Sequence, residues 1–334
     1  MEKQISASIK ALKEKLKARA IKWEVWQFVE GIKIPNDGFE FGKASFYGLE
    51  SKYVKERPND VLRQLIFCGE YSRPKANSVL CRVFIDAADG KAAIQKADAE
   101  LSLTLGILNF FVYPRSSRKT GIPAVTEANK MPISRKTDLK EVAVKVAFTE
   151  NPKLGFQSES SPNHVDFFDL LLFKKTAPEI QAIFNQASAF LRGEGEKGFR
   201  ERILTAMKWA GKGDFAENNE DSFLFFALAL ESLILGAKNE SELRYRFALR
   251  LAHLLGSTKP ERLKIQKYAK KTLYDIRCAL VHTGQAQIPD SDLDTLGRMT
   301  FGSIFKLMRD EKFQGINTDN ALENWFEEAC LNGD

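Results

Sequence analysis

Apolar residues recur along this chain with two periods, and the change of period organises it. Across residues 3–30, Ile5, Ile9, Leu12 and Leu16 step at helical intervals with lysines between them, which predicts an amphipathic helix. From Phe39 onward the period shortens to two. FEFGKASFYGL at 39–49, part of VLCRVFID at 79–86 and EVAVKVAFTE at 141–150 alternate apolar with polar residues, the pattern of strands with one buried face. VDFFDLLLF at 165–173 predicts a further strand, and residues 91–108 predict a helix leading into the apolar run ILNFFVYP.

The helical period then takes over. Pro178 and the GEGEKG stretch at 193–198 mark a shift in composition, so the expected domains are 1–190 and 191–334. Helices are predicted over 197–210, 222–235, 241–255, 260–282 and 291–312. The second of these, SFLFFALALESLIL, is apolar nearly all round, as the centre of a bundle must be. Short connections favour antiparallel neighbours, hence an up-and-down arrangement. The fold class expected is α+β: an N-terminal domain of mixed strands and helices followed by an all-α bundle.

Composition narrows the classes. Hydrophobic content of 44% and charged content of 28% describe a globular protein, and the formal net charge of +6 permits an anionic partner. The longest apolar run, residues 223–235, is interrupted by Glu231 and is too short for a bilayer, so no membrane partner is expected. The N-terminal residues hold no apolar segment of the secretory kind. Cys68, Cys81, Cys278 and Cys330 have no paired spacing and read as reduced thiols of a cytoplasmic protein. No phosphate loop, metal-ligand pattern or nucleophile elbow stands out, so neither cofactor nor metal is expected. Residues 115–140 carry seven Lys/Arg against Glu127 and Asp138, a loop suited to solvent or to nucleic-acid phosphates.

The chemistry concentrates in residues 271–284, KTLYDIRCALVHTG, at the end of a helix that opens near Thr258 and Pro260 and stops at Gly284. Lys271, Asp275, Cys278 and His282 fall at steps of four, three and four and share one face of a regular helix. Arg277 and His282 are five residues apart, so a straight helix separates them by about 140°. A long arginine side chain spans part of that gap. His253 reads as structural, and His164 has no evident partner. Glu231 stands in an otherwise apolar helix and needs a cation; Arg277 is one choice, and Arg244 or Arg250 is the other.

The stretch from about Ile203 to His282 resembles the HEPN superfamily, and within it the ApeA-like HEPN domains, and three blocks carry the likeness: FLFFALALESLILG, LRYRFALRLAHLLG and LYDIRCALVHTG. The last block carries the superfamily's Arg-x4-6-His signature as Arg277 and His282. Cys278 follows the arginine where a small polar residue is frequent, and Thr283 follows the histidine where glycine is frequent. The resemblance implies a bundle of HEPN type and a metal-independent endoribonuclease, often a toxin or an antiviral defence effector. Arg277 and His282 would be catalytic, with Glu231, Asp275 and Cys278 supporting them. Two chains would share a composite site, since HEPN domains commonly form homodimers. The RNA backbone would lie on basic residues, Lys271, Arg246 and Arg250 among them. Residues 238–277 hold eleven Lys/Arg against four Asp/Glu, which suits that role. The N-terminal domain would be the sensor or regulatory part, meeting a regulatory partner or a phage trigger. The alternative is a non-catalytic module that binds nucleotide or RNA and mediates assembly; a scaffold dimer without ligand is the third class.

Overall fold

The structure is a computed structural model. It describes residues 20–30, 32–35, 38–49, 51–55, 79–111, 126–127, 141–148, 154–161, 168–169, 176–216, 218–235, 243–284 and 286–332. Contacts divide the chain into two compact units, the first within residues 1–105 and 122–175, the second within 106–121 and 176–334. The fold is mixed α and β, with strands in the first unit and helices in the second. No described helix is long and apolar enough to cross a membrane.

The first unit is built around β1 (Ile21–Glu30). These residues were expected to extend a helix; they form a strand instead, and residues 3–19 lie outside the described ones. Trp23, Val25, Gln27 and Val29 alternate with Lys22, Glu24 and Trp26, a strand period that the helical spacing upstream obscures. Among the described residues the order in the main sheet is β3 (Phe39–Phe41), β4 (Ala44–Gly48), β5 (Val79–Ala87), β1, β7 (Glu141–Phe148) and β8 (Leu154–Ser161), all antiparallel. The short β6 (Thr126–Glu127) also pairs with β1. A parallel pair joins β2 (Ile32–Lys33) to β9 (Phe168–Asp169). The predicted strand at 165–173 is described only at β9, and the basic loop only at β6.

A central strand must bury both faces, and β1 does. On one side Trp23, Val25 and Ala87 meet Ala93, Ile94 and Ala97 of helix α2 (Gly90–Phe111). The Trp23 indole donates to the Ala87 carbonyl at 3.0 Å, so the large ring is buried without an orphaned N–H. On the other side Trp26, Tyr47 and Leu80 enclose Val54 of the short helix α1 (Lys52–Lys55). Arg82 lies there too, its guanidinium 4.9–5.9 Å from the rings of Tyr53, Tyr47 and Trp26. It donates to the Tyr53 hydroxyl and, at 2.7 Å, to that of Tyr47.

The second unit begins earlier than the expected boundary near residue 190. That position falls inside α3 (Pro178–Arg192), whose Ile183, Phe184, Ala187 and Leu191 are buried. Proline opens this helix and Gly193, at φ 99°, closes it, so GEGEKG is a turn between helices and not a linker between domains. Next come α4 (Lys197–Asp214), α5 (Asn219–Leu235), α6 (Leu243–Leu255) and α7 (Lys259–Tyr268). A π-helical segment (Ala269–Leu273) leads into α8 (Tyr274–Thr283); α9 (Asp290–Arg309) and α10 (Asp319–Asn332) follow. Asn218 caps α5 by accepting from the Asp221 amide at 2.7 Å. The end of α2 joins this core. Gly211 of α4 approaches it so closely that a Cβ there would sit 2.9 Å from the Phe110 amide nitrogen. Phe110 stacks on Phe301 at 4.9 Å, and Phe301 meets Phe226 edge-on at 6.1 Å.

The sequence did not predict α10, and a buried ionic cluster holds it in place. The Glu323 carboxylate takes Arg202 at 2.7 Å and Arg250 at 2.8 Å, and Arg202 also reaches Asp319 at 2.7 Å. The two arginines donate to the Leu233 and Ile234 carbonyls at the end of α5, where a helix presents unpaired acceptors and the negative end of its dipole.

Candidate active site

The segment 259–283 is one continuous run of helix with a defect. Thr258 and Glu261 form a capping box at its start, and Gly284, at φ 71°, returns its amide to the Leu280 carbonyl at 3.0 Å to end it. In between, residues Ala269–Leu273 hydrogen-bond with π-helical spacing. A π turn holds one more residue than an α turn, so side chains on opposite sides of it slip by up to about 100°. The regular face expected for Lys271, Asp275, Cys278 and His282 is therefore interrupted: Lys271 lies within the widened turn, and the other three follow it. Arg244 of α6 supports the turn. Its Nε donates to the Lys270 carbonyl at 2.6 Å, and its Nη2 binds Asp275 at 2.8 Å.

Glu231 and Arg277 meet. Arg277 Nε lies 3.0 Å from Glu231 Oε1, and Nη2 donates to Oε2 at 3.3 Å, a two-pronged contact from α8 to α5. Both side chains are mostly but not fully enclosed, 26% and 20% exposed. The carboxylate thus fixes the guanidinium at the surface and does not bury it. The surrounding stripe of α5, Leu224, Phe225, Leu228, Ser232 and Leu235, is also only partly covered, although the sequence suggested a helix buried on all sides. The helix α8 has no fully buried residue. Cys278 is half-buried, Val281 is 51% exposed, and His282 is exposed in the last turn.

One expected RNA contact belongs elsewhere. Arg250 is 4% exposed and is held by Glu323, so it cannot reach a phosphate in solvent. Arg246 is half-buried; burial pushes the Cys330 thiol up, and the nearby charges of Arg250 and Arg246 pull it back. Lys271 is exposed, as its expected role requires. Sequence reasoning offered Arg244 only as an alternative partner for Glu231, and missed Tyr274, whose ring lies 5.4 Å from the Arg244 guanidinium. The available signal was the placement of Arg244 in a helix flanking the Arg-x4-His block. Among the described residues no group of three or more His, Cys, Asp or Glu could hold a metal. A cavity of about 220 Å³ lined by Asp214, Phe226, Asp294 and Arg298 contains none of these site residues. Comparisons with protein family models, with curated proteins and with solved structures return no match.

Proposed function

We propose that this chain is a metal-independent endoribonuclease of HEPN type, serving as a toxin or an anti-phage defence effector. The observation that carries the reading is the Glu231–Arg277 pair, which holds a guanidinium at the surface of a helix whose free end displays His282. Attack by a ribose 2′-hydroxyl on the neighbouring phosphate needs a group that moves protons and a cation that stabilises the charged phosphorane. His282 serves the first role and Arg277 the second. Glu231 is a positioning residue, and Asp275 acts through Arg244. The reaction wants a base at the 2′-oxygen and an acid at the leaving 5′-oxygen. A second copy of the chain, placed by a two-fold axis beside α8, supplies the second histidine. Exposed Val281 and the half-covered apolar stripe of α5 favour such a contact. The first unit then carries the regulatory role, receiving a trigger or partner. The non-catalytic RNA-binding module is the second reading, favoured by the partial neutralisation of Arg277 by Glu231.

The test is digestion of total RNA with purified protein, with and without EDTA. Cleavage should persist in EDTA, leave 2′,3′-cyclic phosphate ends and vanish in His282→Ala. Mixed Arg277→Ala and His282→Ala chains should regain part of it through heterodimers. Wild-type rates in His282→Ala, or inactivity of the native protein on every RNA offered, would remove the nuclease reading.

A further inference from the structure

We propose that Tyr245 forms a base-stacking subsite for single-stranded RNA on the flank of α8, an inference that rests on the RNA-directed reading above. Tyr245 lies in the first turn of α6 and is 45% exposed, beside Leu243 at 40%. A tyrosine this open contributes little to the core. The Lys270 ammonium stands 5.4 Å from its ring centroid, and Lys270 belongs to the π turn. Next to this pair is a second of the same kind, Arg244 with Tyr274 at 5.4 Å. Tyr274 precedes Arg277 by three residues and shares its side of α8. Lys270 precedes Arg277 by seven residues, roughly 10 Å along the helix. Exposed Lys271 adds a further cation, and Asp275, the acidic neighbour, is held by Arg244 at 2.8 Å. Two rings, each with its own cation, thus lead toward the arginine assigned to the phosphate.

This arrangement fits a single strand. Every base offers a π face, so the face of the Tyr245 ring turned away from Lys270 accepts any of them, while the ammonium over the other face takes the adjoining phosphate. In a duplex those faces are hidden in the stack, and only the lysines can engage. The subsite therefore selects for unpaired RNA without reading sequence.

Fluorescence anisotropy of full-length His282→Ala protein with labelled oligoadenylate, and with a blunt RNA duplex of equal length, tests it without cleavage. Adding Tyr245→Ala should weaken single-strand binding about tenfold, and Tyr245→Phe by no more than about twofold. Duplex affinity should be the same in all three, whereas Lys270→Ala should weaken both ligands and flatten the salt dependence. Unchanged single-strand affinity in Tyr245→Ala, equal losses on both ligands, or no binding by the parent protein overturns the subsite. So does a fall in oligomer mass in Tyr245→Ala with RNA affinity intact, which would assign the ring to a protein contact. Tyr245-dependent binding in a native protein that cuts nothing would overturn the nuclease reading alone. Cleavage with Tyr245-independent binding would overturn the subsite alone.

Discussion

Replacing Glu323 with alanine should cost the second unit more than any surface change. The carboxylate is 5% exposed and joins Arg202 at 6% to Arg250 at 4%. Its removal leaves two guanidinium groups inside the bundle with a net positive charge. Loss of one partner of a buried pair costs about 3–5 kcal/mol. Part is offset here, because Arg202 keeps Asp319 and the Leu233 carbonyl, and Arg250 keeps the Ile234 carbonyl and the face of Phe326 at 5.1 Å. An expected loss of about 3 kcal/mol follows, which lowers the melting temperature of a unit this size by roughly 6–12 °C. Glu323→Gln, which keeps the shape and one acceptor, should lose roughly half as much. Circular dichroism melts give the first number, and urea titration gives the free energy. Amide exchange adds location, since α10 should open before α5. If Glu323→Ala melts within a degree or two of the native protein, or if α10 exchanges no faster, the cluster is not what holds α10 in place.

Glu231→Ala should cost only roughly 1 kcal/mol, because the pair is partly solvated, yet it should free the Arg277 side chain and abolish cleavage; unchanged order of the Arg277 Nε in NMR relaxation would contradict this. Glu261 accepts the Ser257 and Thr258 amides, and these hold its carboxyl below the usual range. A depressed folded value means stability that is present above the unfolded carboxylate range and is lost as pH falls through the folded value. Glu261→Gln should therefore lower the urea midpoint at neutral pH, and the gap to native protein should close in acid; a gap independent of pH would refute the assignment.

The sequence made the helices α5, α6 and α9 legible because each pairs a strong apolar stripe with a clear stop or start. It also made the Glu231–Arg277 pair legible, since a carboxylate in SFLFFALALESLIL has few ways to be tolerated. The expected role of Arg250 on an RNA backbone needs a surface position, yet the residue stands at a core position between Phe247, Leu251 and Leu254. Its type concealed its place: an arginine goes inside only when carboxylates from distant sequence meet it, and Glu323 lies 73 residues further on. The strand at 21–30 was missed because lysine-spaced residues upstream carried a helical rhythm into it. The π turn left no trace in composition, because it changes the hydrogen-bonding partner and not the kind of residue.

The widened turn at Ala269–Leu273 also bears on how this chain compares with others. One surplus residue is stored there without breaking the helix. A chain lacking that residue would have an ordinary helix across the same stretch and would align with a single gap. Its Arg-x4-His block would be rotated by about a quarter turn against α7. Spacing counted backward from the arginine is then a poor guide to which lysines accompany it, whereas spacing counted forward from Tyr274 still holds. Two such chains could keep the same motif letter for letter and present it to different surroundings.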